Sequence, residues 1–136
     1  MSGKKSRDRG NNHERDMARR LSEIVPEGEV ITTRNGRGGA QGGADLCWRL
    51  DDGTVRGDVM GWSVECKTTE GLFPTANQWV GWLRQAWRDC RNGSAAVVLY
   101  RQHGRSDCWA CVTHGDGIVL MPLAVWLRRL GREGER

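Results

Sequence analysis

The sequence predicts an α/β fold of the mixed α+β kind, with a central mixed sheet of four to five strands flanked by helices. Three observations point there. An amphipathic helical run near the start is followed by three short β-like runs, and a second amphipathic helix then leads into the unbroken apolar run Ala95-Ala96-Val97-Val98-Leu99-Tyr100. With 136 residues the chain is long enough for one compact core and short for two.

Residues 1–10 are polar and basic and read as a flexible arm. Asn11 with Glu14 three positions later matches a capping box, and Met17, Ala18, Leu21, Ile24 and Val25 recur at helical spacing until Pro26 and Gly28 end the helix. Residues 29–34 form the first predicted strand, and the five glycines within residues 35–43 demand a loop. The second strand covers 45–50. Asp51-Asp52-Gly53 then favours a reversal, so the third strand, 62–67, is expected to lie antiparallel to the second.

The second helix spans about 76–91, with Trp79, Val80, Leu83, Ala86 and Trp87 on one stripe. Residues 95–100 are apolar without alternation and rich in β-branched side chains, as in a central strand buried on both faces. Strands at 107–113 and 117–121 and a closing helix at 122–130, with Pro122 at its start and Gly131 past its end, complete the order. The division is a basic arm at 1–10, a single domain at 11–131 and a flexible tail at 132–136.

The net charge of +4 is unevenly placed. Lys4, Lys5, Arg7, Arg9, Arg15, Arg19 and Arg20 face only Asp8, Glu14 and Asp16 within the first twenty residues, and the remainder is balanced. A basic start ahead of a neutral domain suits phosphate contacts, and equally suits a solvating end. The five cysteines are odd in number, the longest apolar runs fall far short of a membrane span, and no charged-then-apolar leader opens the chain. The expectation is a reducing cytoplasm, with no membrane partner.

Glu65 and Lys67 stand two apart on a predicted strand, so both side chains leave the same face. Alone, a Glu-x-Lys pair reads equally as a surface ion pair worth about 0–1 kcal/mol. Lysine usage sharpens the reading. Of 21 basic residues three are Lys, and Lys67 is the one lysine outside the basic start. Arginine cannot give up its proton or act as a compact point charge, whereas a lysine ammonium can steer a water nucleophile. Asp45, twenty residues earlier, would meet Glu65 at one end of the expected hairpin. Two carboxylates there repel unless a cation lies between them, and oxygen donors with an open side suit Mg²⁺ or Mn²⁺. Glu14 lies at the N-terminal edge of the first helix's apolar stripe, where a capping role and membership of an acidic cluster are both open.

The order Glu14 in an opening helix, Asp45 in Gly-Gly-Ala-Asp-Leu and Val-Glu-Cys-Lys at 64–67 resembles the PD-(D/E)xK nuclease superfamily. It looks most like the archaeal-type Holliday-junction resolvases and their small phage-encoded relatives, over roughly residues 11–101. The resemblance implies a restriction-endonuclease-like core and a Mg²⁺- or Mn²⁺-dependent DNA endonuclease serving recombination, repair or phage DNA processing in a bacterial or phage-infected cell. It implies Asp45, Glu65 and the Cys66 main-chain carbonyl as metal ligands, Lys67 as the group that activates water, and Glu14 as an accessory to the metal. It also implies a glutamine on the following helix, Gln85 first and Gln78 second. DNA contacts are expected from Lys4, Lys5, Arg7, Arg9, Arg34 and Arg37. Junction resolution needs two sites across a two-fold axis, hence a homodimer. Two departures bear on junction specificity: no proline precedes Asp45, and the loop before it lacks the serine many resolvases carry there.

Other signals weigh less. The glycine-rich loop lacks the Gly-Lys-Ser/Thr ending of a P-loop. Cys108 and Cys111 have zinc-like spacing, with His103 and His114 in turns nearby, but strand residues three apart face opposite sides. A zinc-stabilised interaction domain and a catalytically silent DNA-binding module are the rival readings. The spacing of Trp79, Trp82 and Trp87 suits a core or subunit interface better than base stacking.

Overall fold

The computed structural model describes residues 3–33, 44–90 and 93–134. Helix α1 (Gly3–Ser22) precedes strands β1 (Glu29–Thr32), β2 (Leu46–Arg49), β3 (Val55–Arg56) and β4 (Trp62–Thr69); helix α2 (Ala76–Asp89), strands β5 (Ala95–Gln102), β6 (Cys108–His114) and β7 (Gly117–Pro122), and helix α3 (Leu123–Gly134) follow. The order predicted from periodicity is present, with one additional short strand.

The main sheet has four strands in the order β4-β5-β6-β7, with β4 parallel to β5 and the remaining pairs antiparallel. It is mixed and flanked by helices, as expected. Strand β5 is interior, and its alternation builds both cores. Val97 and Leu99 join Met17, Ala18 and Leu21 of α1 and Leu123, Trp126 and Leu130 of α3. Ala96, Val98 and Tyr100 join Trp79, Leu83 and Ala86 of α2 on the opposite face. An apolar run without alternation is therefore the signature of two covered faces.

Three expectations are corrected. The opening helix begins at Gly3, so Asn11 and Glu14 are interior helical residues and not a capping box. The basic residues up to Arg9 lie on that helix. Second, β2 does not form a hairpin with β4. The reversal at Asp51–Gly53 joins β2 to the two-residue β3, and β1, β2 and β3 form their own antiparallel sheet. Third, Pro122 closes β7, and Gly131 lies inside α3, which continues into the expected tail. The glycine-rich loop, with Arg34 and Arg37, lies outside the described residues.

The turn from α1 into β1 requires glycine. Gly28 has φ +64°, and a Cβ there would lie 1.9 Å from the Arg49 carbonyl oxygen of β2. Only a residue without a side chain allows so close an approach. Helix α2 starts where Thr75 accepts the Gln78 N–H at 3.3 Å, an N-cap that orients the helix across the second face.

Candidate active site

Asp45 stands at the entrance of β2, where its main chain joins the two sheets. Its N–H donates to the Val64 carbonyl of β4 at 2.9 Å, and its carbonyl accepts the Thr33 N–H at 2.9 Å. Its carboxylate Oδ2 accepts the Cys66 N–H at 2.8 Å. The two links to β4 straddle Glu65, so residue 45 is held against the outer edge of that strand without belonging to its ladder. Asp45 thus reaches the 64–67 segment by a side-chain bond across the sheets and not by hairpin pairing.

Glu65 is 4 % exposed, and its neighbour in the ladder is Val98. Lys67 is half-buried, two positions further on, opposite Tyr100. Val98 and Tyr100 belong to the core under α2, so Glu65 and Lys67 share the α2 face, as their spacing predicts. The Glu65 carboxyl is pushed up to about 8, first by burial, then by the Asp45 charge and a hydrogen bond with Asp45, with Lys67 acting in the opposite sense. Two carboxylates this close cannot both ionise readily without a cation. One oxygen of Glu65, Oε1, is buried with no hydrogen-bond partner among the described residues.

Cys66 points to the α1 side, against the core containing Met17 and Leu21. Burial pushes its thiol well up, followed by the charges of Asp45, Glu14 and Glu65, with Lys67 opposing. Glu14, half-buried on α1, therefore lies within electrostatic reach of this thiol, as do Asp45, Glu65 and Lys67. In a strand the N–H and C=O of one residue leave on the same side. Cys66 gives its N–H outward to Asp45, so its carbonyl lies along the same outer edge, away from β5.

Among the described residues no three His, Cys, Asp or Glu side chains converge as a self-sufficient metal cage. The donor set is smaller and oxygen-only: the neighbouring carboxylates of Asp45 and Glu65, the latter with a buried unpartnered oxygen, and a carbonyl on the same edge. That set fits a hard divalent cation that keeps part of its water shell.

Gln78 and Gln85 are both exposed on α2. Gln85 lies four residues before Asp89, and positions four apart share a helix flank. The charge of Asp89 adds to those that raise the Glu65 carboxyl, a relation the sequence reading missed. Arg7 is exposed, Arg9 pairs with Glu70, and the Lys4 and Lys5 side chains lie outside the described residues. All five cysteines are free. Cys108 and Cys111 sit in the separate cores on opposite faces of the sheet, and His103 and His114 are exposed. Trp79 is core, while Trp87 is 42 % exposed. No helix among the described residues is long and apolar enough to cross a membrane.

No curated protein matches the chain. A family model described as "Phage putative PDDEXK endonuclease" matches residues 5–121, a span that contains both sheets but for the last residue of β7, α2 and every acidic residue of the centre just described. The fold, a four-stranded mixed sheet flanked by helices, is consistent with the restriction-endonuclease-like architecture. The chain belongs to this phage-type PD-(D/E)xK endonuclease family.

Proposed function

We propose that this chain is a Mg²⁺- or Mn²⁺-dependent endonuclease that hydrolyses DNA phosphodiesters, with Asp45, Glu65 and Lys67 at its catalytic centre and Holliday-junction-like branched DNA as its substrate. The observation that carries the reading is a buried Glu65 with an orphaned oxygen, in contact with an Asp45 that is itself anchored to the Cys66 N–H.

Asp45, Glu65 and the Cys66 carbonyl would hold the cation, with Glu14 completing the acidic surroundings. A divalent ion, when bound, neutralises charge at a phosphate oxygen and eases deprotonation of water. Lys67, on the same face as Glu65, orients the attacking water and offsets the charge that develops on the phosphate. Gln85 hydrogen-bonds near the nucleophile. Arg7, Arg9, Arg34, Arg37 and the lysines at 4 and 5 contact the DNA backbone.

A homodimer acting in recombination, repair or phage DNA processing in the cytoplasm completes the reading. Its support is the exposed Trp87, which lines an apolar groove between α2 and the β6–β7 turn together with Arg84, Arg88 and Asp116. Charges of both signs in one groove suit a self-complementary two-fold contact.

The test is incubation with a four-way junction and a matched linear duplex, with and without Mg²⁺. Paired symmetric nicks confined to the junction are expected. Equal cutting of both substrates would remove the resolvase assignment, and no Mg²⁺-dependent cutting of either would remove the nuclease.

A further inference from the structure

At the C-terminal ends of β4 and β5, on the face covered by α1, lies a cavity of about 220 Å³. Arg9 and Asn12 of α1, Thr68 of β4, Arg101 of β5, and His103 and Arg105 of the following turn line it. No carboxylate lines it. Two acids reach the cluster from outside: Glu70 pairs with Arg9, and Asp16 is shared among Arg19, Arg20 and Arg101, the last at 3.3 Å. Arg105 is exposed and pairs with no carboxylate among the described residues. Three guanidinium groups line the cavity, and that of Arg105 is not balanced by a carboxylate among the described residues, so the concave site carries excess positive charge, which concentrates anions.

The cavity wall is held in place before any ligand arrives. The His103 N–H donates to the Thr69 carbonyl at 2.8 Å, the Arg105 N–H donates to the Gln102 carbonyl at 3.0 Å, and the Gln102 amide donates to the Gly71 carbonyl. Gly104, at φ +84°, allows the tight turn between them. These bonds tie the basic turn to the end of β4, the strand that carries Glu65 and Lys67. Thr68 directly follows Lys67 but faces the α1 side, so the cavity and the acidic centre lie on either side of one strand end. Guanidinium forks with neutral Asn and Thr groups beside them match the geometry of a phosphate.

We infer that this pocket holds a backbone phosphate of the bound DNA strand, flanking the one cleaved at Asp45, Glu65 and Lys67. The inference rests on the nuclease reading for the identity of its ligand. It places Arg105, Arg101 and His103 among the DNA-positioning residues, beside the basic start and the Arg34 and Arg37 loop expected from the sequence.

The test uses the full chain in chelator, so that binding is measured without cleavage, with labelled DNA titrated across a range of salt. Arg105→Ala is the informative variant because the side chain is exposed, and a melting temperature equal to wild type establishes that it folds. Expected is a loss of affinity of about tenfold at low salt and a fall of about one in the slope of log K against log[salt], with Arg105→Lys retaining the wild-type slope. An unchanged slope in a folded Arg105→Ala would overturn the inference. So would Arg105-dependent binding of inorganic phosphate alone, without any effect on DNA affinity. Wild-type cleavage in Mg²⁺ is scored separately. Cleavage with no Arg105 effect sinks only the pocket, and an Arg105 effect with no cleavage sinks only the nuclease.

Discussion

Glu65→Gln is expected to lower Mg²⁺-dependent DNA cleavage by about 10³-fold or more, while affinity for DNA in chelator changes little. The substitution keeps the shape of a side chain that is almost fully buried and removes the charge that its environment already penalises. Because Glu65 lies beside Asp45, on the same strand face as Lys67, its loss as an anion removes half of the carboxylate pair that suits a cation. Lys67→Ala should cost about 10²–10⁴-fold through loss of the group that orients water. Lys67→Arg should not restore activity, since a guanidinium is too broad and too weak an acid to replace an ammonium. Single-turnover cleavage rates at saturating enzyme separate these losses from binding defects. Either alanine or glutamine variant cutting at the wild-type rate would show that the chemistry lies elsewhere.

Acid should destabilise the fold by about 2–3 kcal/mol between pH 7.5 and pH 4.5 through His13 alone. This imidazole is fully buried on α1, and its Nε2–H donates to the Leu99 carbonyl at 2.9 Å. Since a carbonyl only accepts, Nε2 carries the proton, and Nδ1 is left buried with no partner among the described residues. Protonating Nδ1 would place a charge and an unmet donor in the core. Burial first, opposed by the Leu99 bond and reinforced by Arg101, lowers His13 from 6.5 to about 4. The unfolded chain therefore binds the proton more readily than the folded one. The stability linked to this group is complete above about 6.5 and is lost as pH falls toward 4. Denaturant titrations of wild type and His13→Gln at both pH values check this. The variant should lose less stability on acidification, and an equal loss in both proteins would assign the acid sensitivity to other groups.

Much of the architecture is readable from local pattern. The stripe of Trp79, Leu83 and Ala86 announces the buried face of α2, and the run from Ala95 to Tyr100 announces a strand covered on both sides. Glu65 and Lys67 share a face because strand geometry has a period of two. The start of α1 was not readable, because residues 3–10 carry no apolar periodicity and their helicity leaves no mark in hydrophobic pattern. The pairing of β2 was misread because its true partner, β3, has two residues, too few for any alternation to register.

Residue chemistry and short-range spacing determined the candidate acids, the solitary lysine of the sheet and the two helix faces, since these depend on neighbours within a turn or a strand. Tertiary structure alone decided how Asp45 reaches Glu65, that the charge of Asp89 reaches Glu65, and that Arg9 and Asn12 meet Arg101 and Arg105 around one cavity. Those contacts join segments from twenty to more than ninety residues apart, and their geometry follows from how two sheets and a helix pack. No periodicity in the chain encodes that arrangement.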